Sequence, residues 1–347
     1  MKQHRDYYFD NAKFLLIFFV VFGHFVQSYN EESNGIYALY KVIYTFHMPA
    51  FILISGFFAK GIYKQGYIQK YTKKLIVPYI IFQLIYSIFY YYLYGKSTFT
   101  LDPLNPHWSL WFLISLFFWN MLLLLFAKIK PFYGLSLSLV LGLAIGFLDW
   151  TTSYLSLTRT FVFFPLFLIG FYIKKEHFEW TRGKGAKLFA IATFIIVFIG
   201  FYYLPSINYQ WLFGSKSYST LGEDPLQAIF IRLFFYLLSC LMIYCFFACV
   251  PKKQYFFTKL GNNTLYVYLL HGFVVRIFRI SDITDVVNPH KSFMLIIFIS
   301  LVLTLLLSSK IITSLTQPII ELKLTGLKQV KQKLFNYFQV YKEKLFN

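Results

Sequence analysis

Lys13 and His24 stand eleven residues apart in one apolar run that opens at Asp10-Asn11-Ala12-Lys13 and closes at Gly23-His24. An ionisable side chain inside a bilayer is costly, so each such group is a functional candidate by default. Eleven residues are close to three helical turns, which puts both side chains on one face about 16 Å apart. Lysine offers a point charge for an anion. Imidazole is the side chain best matched to removing a proton near neutral pH. Two further histidines lie in apolar runs. His47 stands in Phe46-His47-Met48-Pro49, and His271 in Leu269-Leu270-His271-Gly272, with Arg276 and Arg279 behind it. Pro49 breaks the helical ladder beside His47, and such irregularity is tolerated at membrane depth where it lines a cavity or packs in protein. A buried histidine bonded to a carbonyl is the ordinary alternative for each of these residues.

Other chemistries lack their signatures. No two of these histidines are spaced i, i+4 and no carboxylate triad accompanies them, so no metal is expected. Neither a nucleophile elbow nor a phosphate-cradling glycine loop is visible. Cys240, Cys245 and Cys249 share one apolar run in no zinc or redox spacing, and they read as small hydrophobes. Trp108 and Trp111 open a later run; they suit either an interfacial belt or stacking on a sugar ring. Lys70, Lys73 and Lys74 form an inward cluster able to hold phosphate. Glu223 and Asp224 either orient a histidine or are solvated.

The elements that must position these residues are membrane helices. The chain is 58% hydrophobic with 14% charged residues and a mean hydropathy of +0.58, far from a soluble domain of this length. The apolar pattern is continuous rather than alternating, which excludes a barrel. Spans are expected near 12–29, 37–59, 75–94, 108–127, 132–148, 160–173, 187–204, 226–249, 264–280 and 292–309, giving an all-α polytopic bundle of about ten transmembrane helices. The N-terminal run lacks a small-residue cleavage site and reads as a span rather than a signal peptide. With the N-terminus in the cytoplasm, 24 of the 33 Lys and Arg fall in inward loops and 4 in outward ones. That bias satisfies the positive-inside rule and puts both termini inside. The net charge of +19 is thereby a topology signal spread over short loops, and no nucleic-acid partner is expected. Residues 1–317 form the bundle. Residues 318–347, where Leu327, Val330, Leu334, Phe338, Tyr341 and Leu345 recur between lysines, read as a basic amphipathic tail on the anionic inner leaflet, the alternative being a solvated tail.

Several blocks together resemble acyltransferase family 3, the integral-membrane O-acyltransferases, and within it the fucose 4-O-acetylase-like branch. They are Tyr8-Phe9-Asp10-Asn11-Ala12-Lys13 through Gly23-His24; Phe46-His47-Met48-Pro49 through Ser55-Gly56-Phe57; Trp111-Phe112-Leu113; Arg159 with Phe163-Phe164-Pro165-Leu166-Phe167-Leu168-Ile169-Gly170; and Leu260-Gly261-Asn262-Asn263-Thr264 through His271. Lys13 stands where most members carry arginine, which exchanges a bidentate fork for a point charge. The resemblance implies a cell-membrane, multi-pass enzyme that takes an acyl group from cytosolic acyl-CoA, with acetyl-CoA as co-substrate, and delivers it to a hydroxyl of an extracytoplasmic or cell-surface glycan. His24 would be the catalytic histidine, assisted by His47. Lys13, Asp10, Asn11, Lys73 and Lys74 would hold the donor. Trp108, Trp111, Arg159 and His271 would meet the acceptor. Direct attack and a covalent acyl-histidine remain rival routes. Two other readings compete: a transporter or flippase for a glycan or lipid-linked precursor, and a non-catalytic membrane scaffold.

Overall fold

The computed structural model describes residues 6–281, 289–323 and 325, and every regular element among them is helical. The long helices are α1 (Tyr7–Val26), α2 (Asn34–Phe57), α3 (Tyr67–Leu93), α4 (Trp111–Phe126), α5 (Pro131–Ala144), α6 (Leu157–Tyr172), α7 (Lys184–Tyr203), α8 (Pro225–Cys249), α9 (Thr264–Ile280), α10 (Pro289–Ser308) and α11 (Lys310–Ile320). Each of the ten expected runs has its helix. Six, α1, α2, α3, α6, α7 and α8, are long and apolar enough to cross a bilayer alone, and α10 with α11 qualifies as a pair bent by 61°. α4 and α5 are apolar but shorter. The chain is an all-α, multi-pass membrane bundle.

Local chemistry moves several boundaries. Asp6 caps α1 by accepting the Tyr8 N–H at 3.1 Å, so the helix starts at Tyr7 rather than 12. Gly66, at φ 75°, turns the chain into α3 at Tyr67 rather than 75. Asp224 caps α8 by accepting the N–H groups of Leu226 and Gln227. Asn263 stands immediately before α9 but makes no side-chain cap; its amide donates instead to the Ser308 carbonyl, 2.7 Å away, tying α9 to the end of α10. α2 runs unbroken through Pro49. The amphipathic stretch from Leu327 onward lies outside the described residues.

α1 and α2 form the centre. Their apolar windows are 72% and 78% buried inside the protein, against 17% for α7, whose flank is left for lipid. α2 packs on α1, α6, α7 and α8. Its contact with α6 is closest where Gly56 meets the Phe167 carbonyl and Gly170 meets the Leu53 carbonyl; a Cβ on either glycine would overlap those backbone atoms. Small residues that let backbones touch are the usual means of holding helices together in lipid. Gly261 likewise lies against the Asp10 backbone, which brings the loop before α9 onto the start of α1.

Candidate functional site

Lys13, Ile17, Val20 and His24 recur at helical spacing, and all four line cavities on one face of α1. Lys13 belongs to a cavity of about 440 Å³ and His24 to one of about 270 Å³. Val20, Met48 and Tyr268 line both, so the two spaces adjoin at a neck formed by α1, α2 and α9. The continuous helix between Lys13 and His24 keeps the rise near 16 Å.

The Lys13 cavity mixes apolar walls with offset charges. The Lys13 Nζ lies 2.8 Å from the Asp10 carboxylate and donates to Asn262 Oδ1 at 3.5 Å. Asn262 reaches it because Gly261 packs on α1. Lys74 lines the same space from α3, where the turn Thr72–Ile76 is π-helical and shifts the face that the lysines present. Lys73 is exposed and lines neither cavity. Asn11 is also absent from both linings. It is buried, donates to the carbonyls of Pro251 and Lys253 at 2.8 and 2.9 Å, and accepts from Thr258. Those bonds hold the 251–258 loop onto α1. Glu321 closes the wall and accepts from the Tyr266 hydroxyl at 2.6 Å.

The His24 cavity gathers three histidine-bearing helices. His24 Nδ1 lies 3.1 Å from the Tyr44 hydroxyl. Its ring stands 4.3 Å from Trp108 and 5.5 Å from His271, centroid to centroid. His47 Nδ1 donates to the Ile43 carbonyl at 2.8 Å, and His271 Nδ1 to the Val267 carbonyl at 3.0 Å. A carbonyl accepts only, so both rings carry the Nδ1 proton and leave Nε2 as an acceptor. His271 itself stacks behind His24 without lining the cavity, whereas His47 lines it. Trp111 and Arg159 also line it, with the Arg159 guanidinium 4.9 Å over the Trp111 ring and its Nε donating to the Phe213 carbonyl at 3.3 Å.

Trp108 is aimed by α3. Gln83 donates to the carbonyls of Asp102 and Asn105 and accepts the His107 N–H, while Ser87 pairs with His107 Nε2 at 2.7 Å. Burial, then Lys96 and Arg276, hold His107 below the ordinary histidine range. These bonds fix the 102–107 loop and seat Trp108 beside His24. Tyr44, Tyr268, Gln27 and Gln83 were invisible as single residues in sequence. One signal was available: Tyr44-Thr45-Phe46-His47 and Tyr268-Leu269-Leu270-His271 share a Tyr-x-x-His spacing that puts tyrosine and histidine on one helical face. Among the described residues, no group of three histidine, cysteine or acidic side chains is arranged to hold a metal.

Comparison with known proteins identifies the family. The family model described as an acyltransferase domain matches residues 6–312. Among curated proteins, the nodulation protein NolL of Mesorhizobium japonicum is 23% identical over 317 residues, covering 82% of this chain and 81% of its own. NolL of Sinorhizobium fredii is 25% identical over 313 residues, covering 81% and 80%. No solved structure matches. A family match over nearly the whole chain, on a bundle that carries the Lys13 and His24 blocks in one lined face, means that this chain belongs to acyltransferase family 3 and is a membrane acyltransferase.

Proposed function

We propose that the protein moves an acetyl group from cytosolic acetyl-CoA to a hydroxyl of a cell-surface glycan, with His24 as general base. The observation that carries this reading is the pair of adjoining cavities along one face of α1, one bearing Lys13 and the other His24. Lys13 and Lys74 are the cations in reach of the donor's phosphates. Asp10 orients Lys13 and Asn262 steadies it. Asn11 acts on the donor only through the loop that it anchors. Lys73 adds charge at the mouth, where a polyanion is attracted before it is bound. The apolar walls at Phe51, Leu116 and Leu265 suit an extended pantetheine arm.

The reaction then follows from the residues in place. In the tautomer that donates from Nδ1 to the Tyr44 hydroxyl, 3.1 Å away, His24 Nε2 is the basic atom. It takes the proton of the acceptor hydroxyl as the new C–O bond forms and the C–S bond of the thioester breaks. The same proton passes to the departing CoA sulfur, so donor and acceptor exchange an acetyl group for a proton. No covalent enzyme intermediate is needed. His47, held in one tautomer by Ile43, lines the same space and presents a second acceptor nitrogen. Trp108 and Trp111 offer faces for a sugar ring.

The test is mass spectrometry of surface polysaccharides from cells with the gene, without it, and with His24→Ala. O-acetyl esters should be present only with the wild-type chain. A general base contributes about 10²- to 10⁴-fold, so His24→Ala should remove the esters while the protein still accumulates in the membrane. Undiminished esters in that variant would discard the assignment. Substrate movement without consumption of acyl-CoA would indicate a transporter instead.

A further inference from the structure

Three guanidinium groups surround the His24 cavity. Arg159, Arg276 and Arg279 all line it, and none of its lining residues among those described is an aspartate or glutamate. Among the described residues no ion pair involves any of the three. Their neighbours are aromatic faces and dipoles. Arg276 lies 4.7 Å over Trp108 and 5.5 Å over Tyr90. Arg279 lies 5.3 Å over Trp108 and donates to the His24 carbonyl at 2.8 Å and to Gln27 Oε1 at 2.7 Å. The buried Nε atoms of Arg276 and Arg279 have no hydrogen-bond partner among the described residues.

Charges taken out of water are normally paired, and leaving one unpaired is expensive. Cation–π contacts recover about 0.5–2 kcal/mol each, well short of that cost. Guanidinium is also the fork that matches carboxylate and phosphate. The Lys13 cavity is different, since Glu321 lines it and Asp10 pairs with Lys13. Lys41 and Arg232 are also buried without an acid partner among the described residues, but each is alone and lines neither cavity; three guanidiniums come together only around His24. That cluster lies on the side on which the acceptor is proposed to enter.

We infer that the acceptor is anionic: the glycan carries a carboxylate or phosphate beside the hydroxyl that is acylated, and Arg276 and Arg279 bind that anion. This rests on the acyl-transfer reading and narrows its acceptor to acidic glycans. The same guanidiniums clamp the sugar over Trp108, which orients the hydroxyl toward His24. A neutral sugar would leave the arginines uncompensated and bind weakly.

The experiment maps the ester in the native polymer and tests one arginine. Surface polysaccharides from cells with and without the gene are digested, and the acetylated unit is identified by tandem mass spectrometry. The expected result is an ester on a uronic acid, a sialic-type acid or a phosphate-bearing sugar, or on the sugar directly joined to one. Esters only on neutral stretches would overturn the inference, as would an anionic acyl group on a neutral sugar. No gene-dependent ester at all would instead defeat the acyl-transfer reading. The second arm uses membranes containing the full chain, labelled acetyl-CoA and the de-esterified native polymer. Arg276→Gln should raise the acceptor KM at least about tenfold and leave labelled acetyl-CoA binding unchanged, and Arg276→Lys should recover part of the loss. Should Arg276→Gln fail to fold, Arg276→Lys and the ester map decide alone. An unchanged acceptor KM, or equal loss of donor binding, would contradict the inference.

Discussion

The two cavities on either side of the Val20, Met48 and Tyr268 neck differ in how charge is held. Around Lys13, each cation has an acid nearby: Asp10 at 2.8 Å from Lys13, and Glu321 in the wall that Lys74 shares. Around His24, three arginines share the space with aromatic rings, and no acid lines it among the described residues. An offset cation can release a polyanion after turnover, because an internal carboxylate takes its place. An uncompensated guanidinium holds its ligand by a bond that nothing else in the site replaces. One helix, α1, lines both spaces, and the contrast teaches that a single helical face can border offset charge at one end and clustered guanidiniums at the other.

The comparison breaks most severely if the neck is closed. Val20→Trp fills the point where both spaces meet, so acyl-CoA should still bind from the Lys13 side while transfer falls by about 10²-fold, the cost of misplacing reacting groups by an ångström or so. Labelled acetyl-CoA binding and product formation, measured on the same membranes, check this. Equal loss of both would mean that the spaces are not in series. A smaller effect should follow from removing the exchangeable cation. Lys13→Gln takes away a charge-assisted bond worth about 1.5–3 kcal/mol, so the acyl-CoA KM should rise by about tenfold or more with kcat little changed. Lys13→Arg should stay close to wild type. A fall in kcat alone would move Lys13 from binding to chemistry.

Much of this was legible in sequence, and the limits have physical causes. The face that joins Lys13 to His24 follows from helical periodicity alone, because a helix fixes which side chains align. The spans followed from continuous apolarity. Their ends did not, since Asp6, Gly66 and Asp224 set them through caps and a left-handed turn rather than through hydropathy. Site residues on other helices were legible as types but not as neighbours. Asn11 and Lys74 looked alike as polar groups near the same mouth, yet Asn11 is consumed by loop carbonyls while a π-helical turn brings Lys74 to the cavity. Tyr44 was missed because a tyrosine in an aromatic-rich chain gives no contrast; only its position opposite His24, across two helices, gives it meaning.

The smallest effect sharpens the outer side. His107 is held below the usual histidine range by burial first, then by Lys96 and Arg276. The unfolded chain therefore takes up a proton before the folded loop does, and stability contributed by this group is present above the ordinary histidine value and lost as pH falls below it. Thermal unfolding in detergent should show a lower midpoint at pH 5 than at pH 7, and His107→Gln should flatten that dependence. An unchanged slope in the variant would remove His107 as its source.

The central claim is that a thioester bound at the Lys13 end reaches the His24 imidazole inside the bundle. Bromoacetyl-CoA tests it directly, because its reactive carbon occupies the position of the acetyl group and alkylates a nearby imidazole with loss of bromide. Applied to membrane vesicles with the Lys13 side exposed, it should label His24, as read by peptide mass spectrometry, and excess acetyl-CoA or Val20→Trp should prevent the labelling. Modification confined to loop lysines, with His24 untouched, would contradict the account.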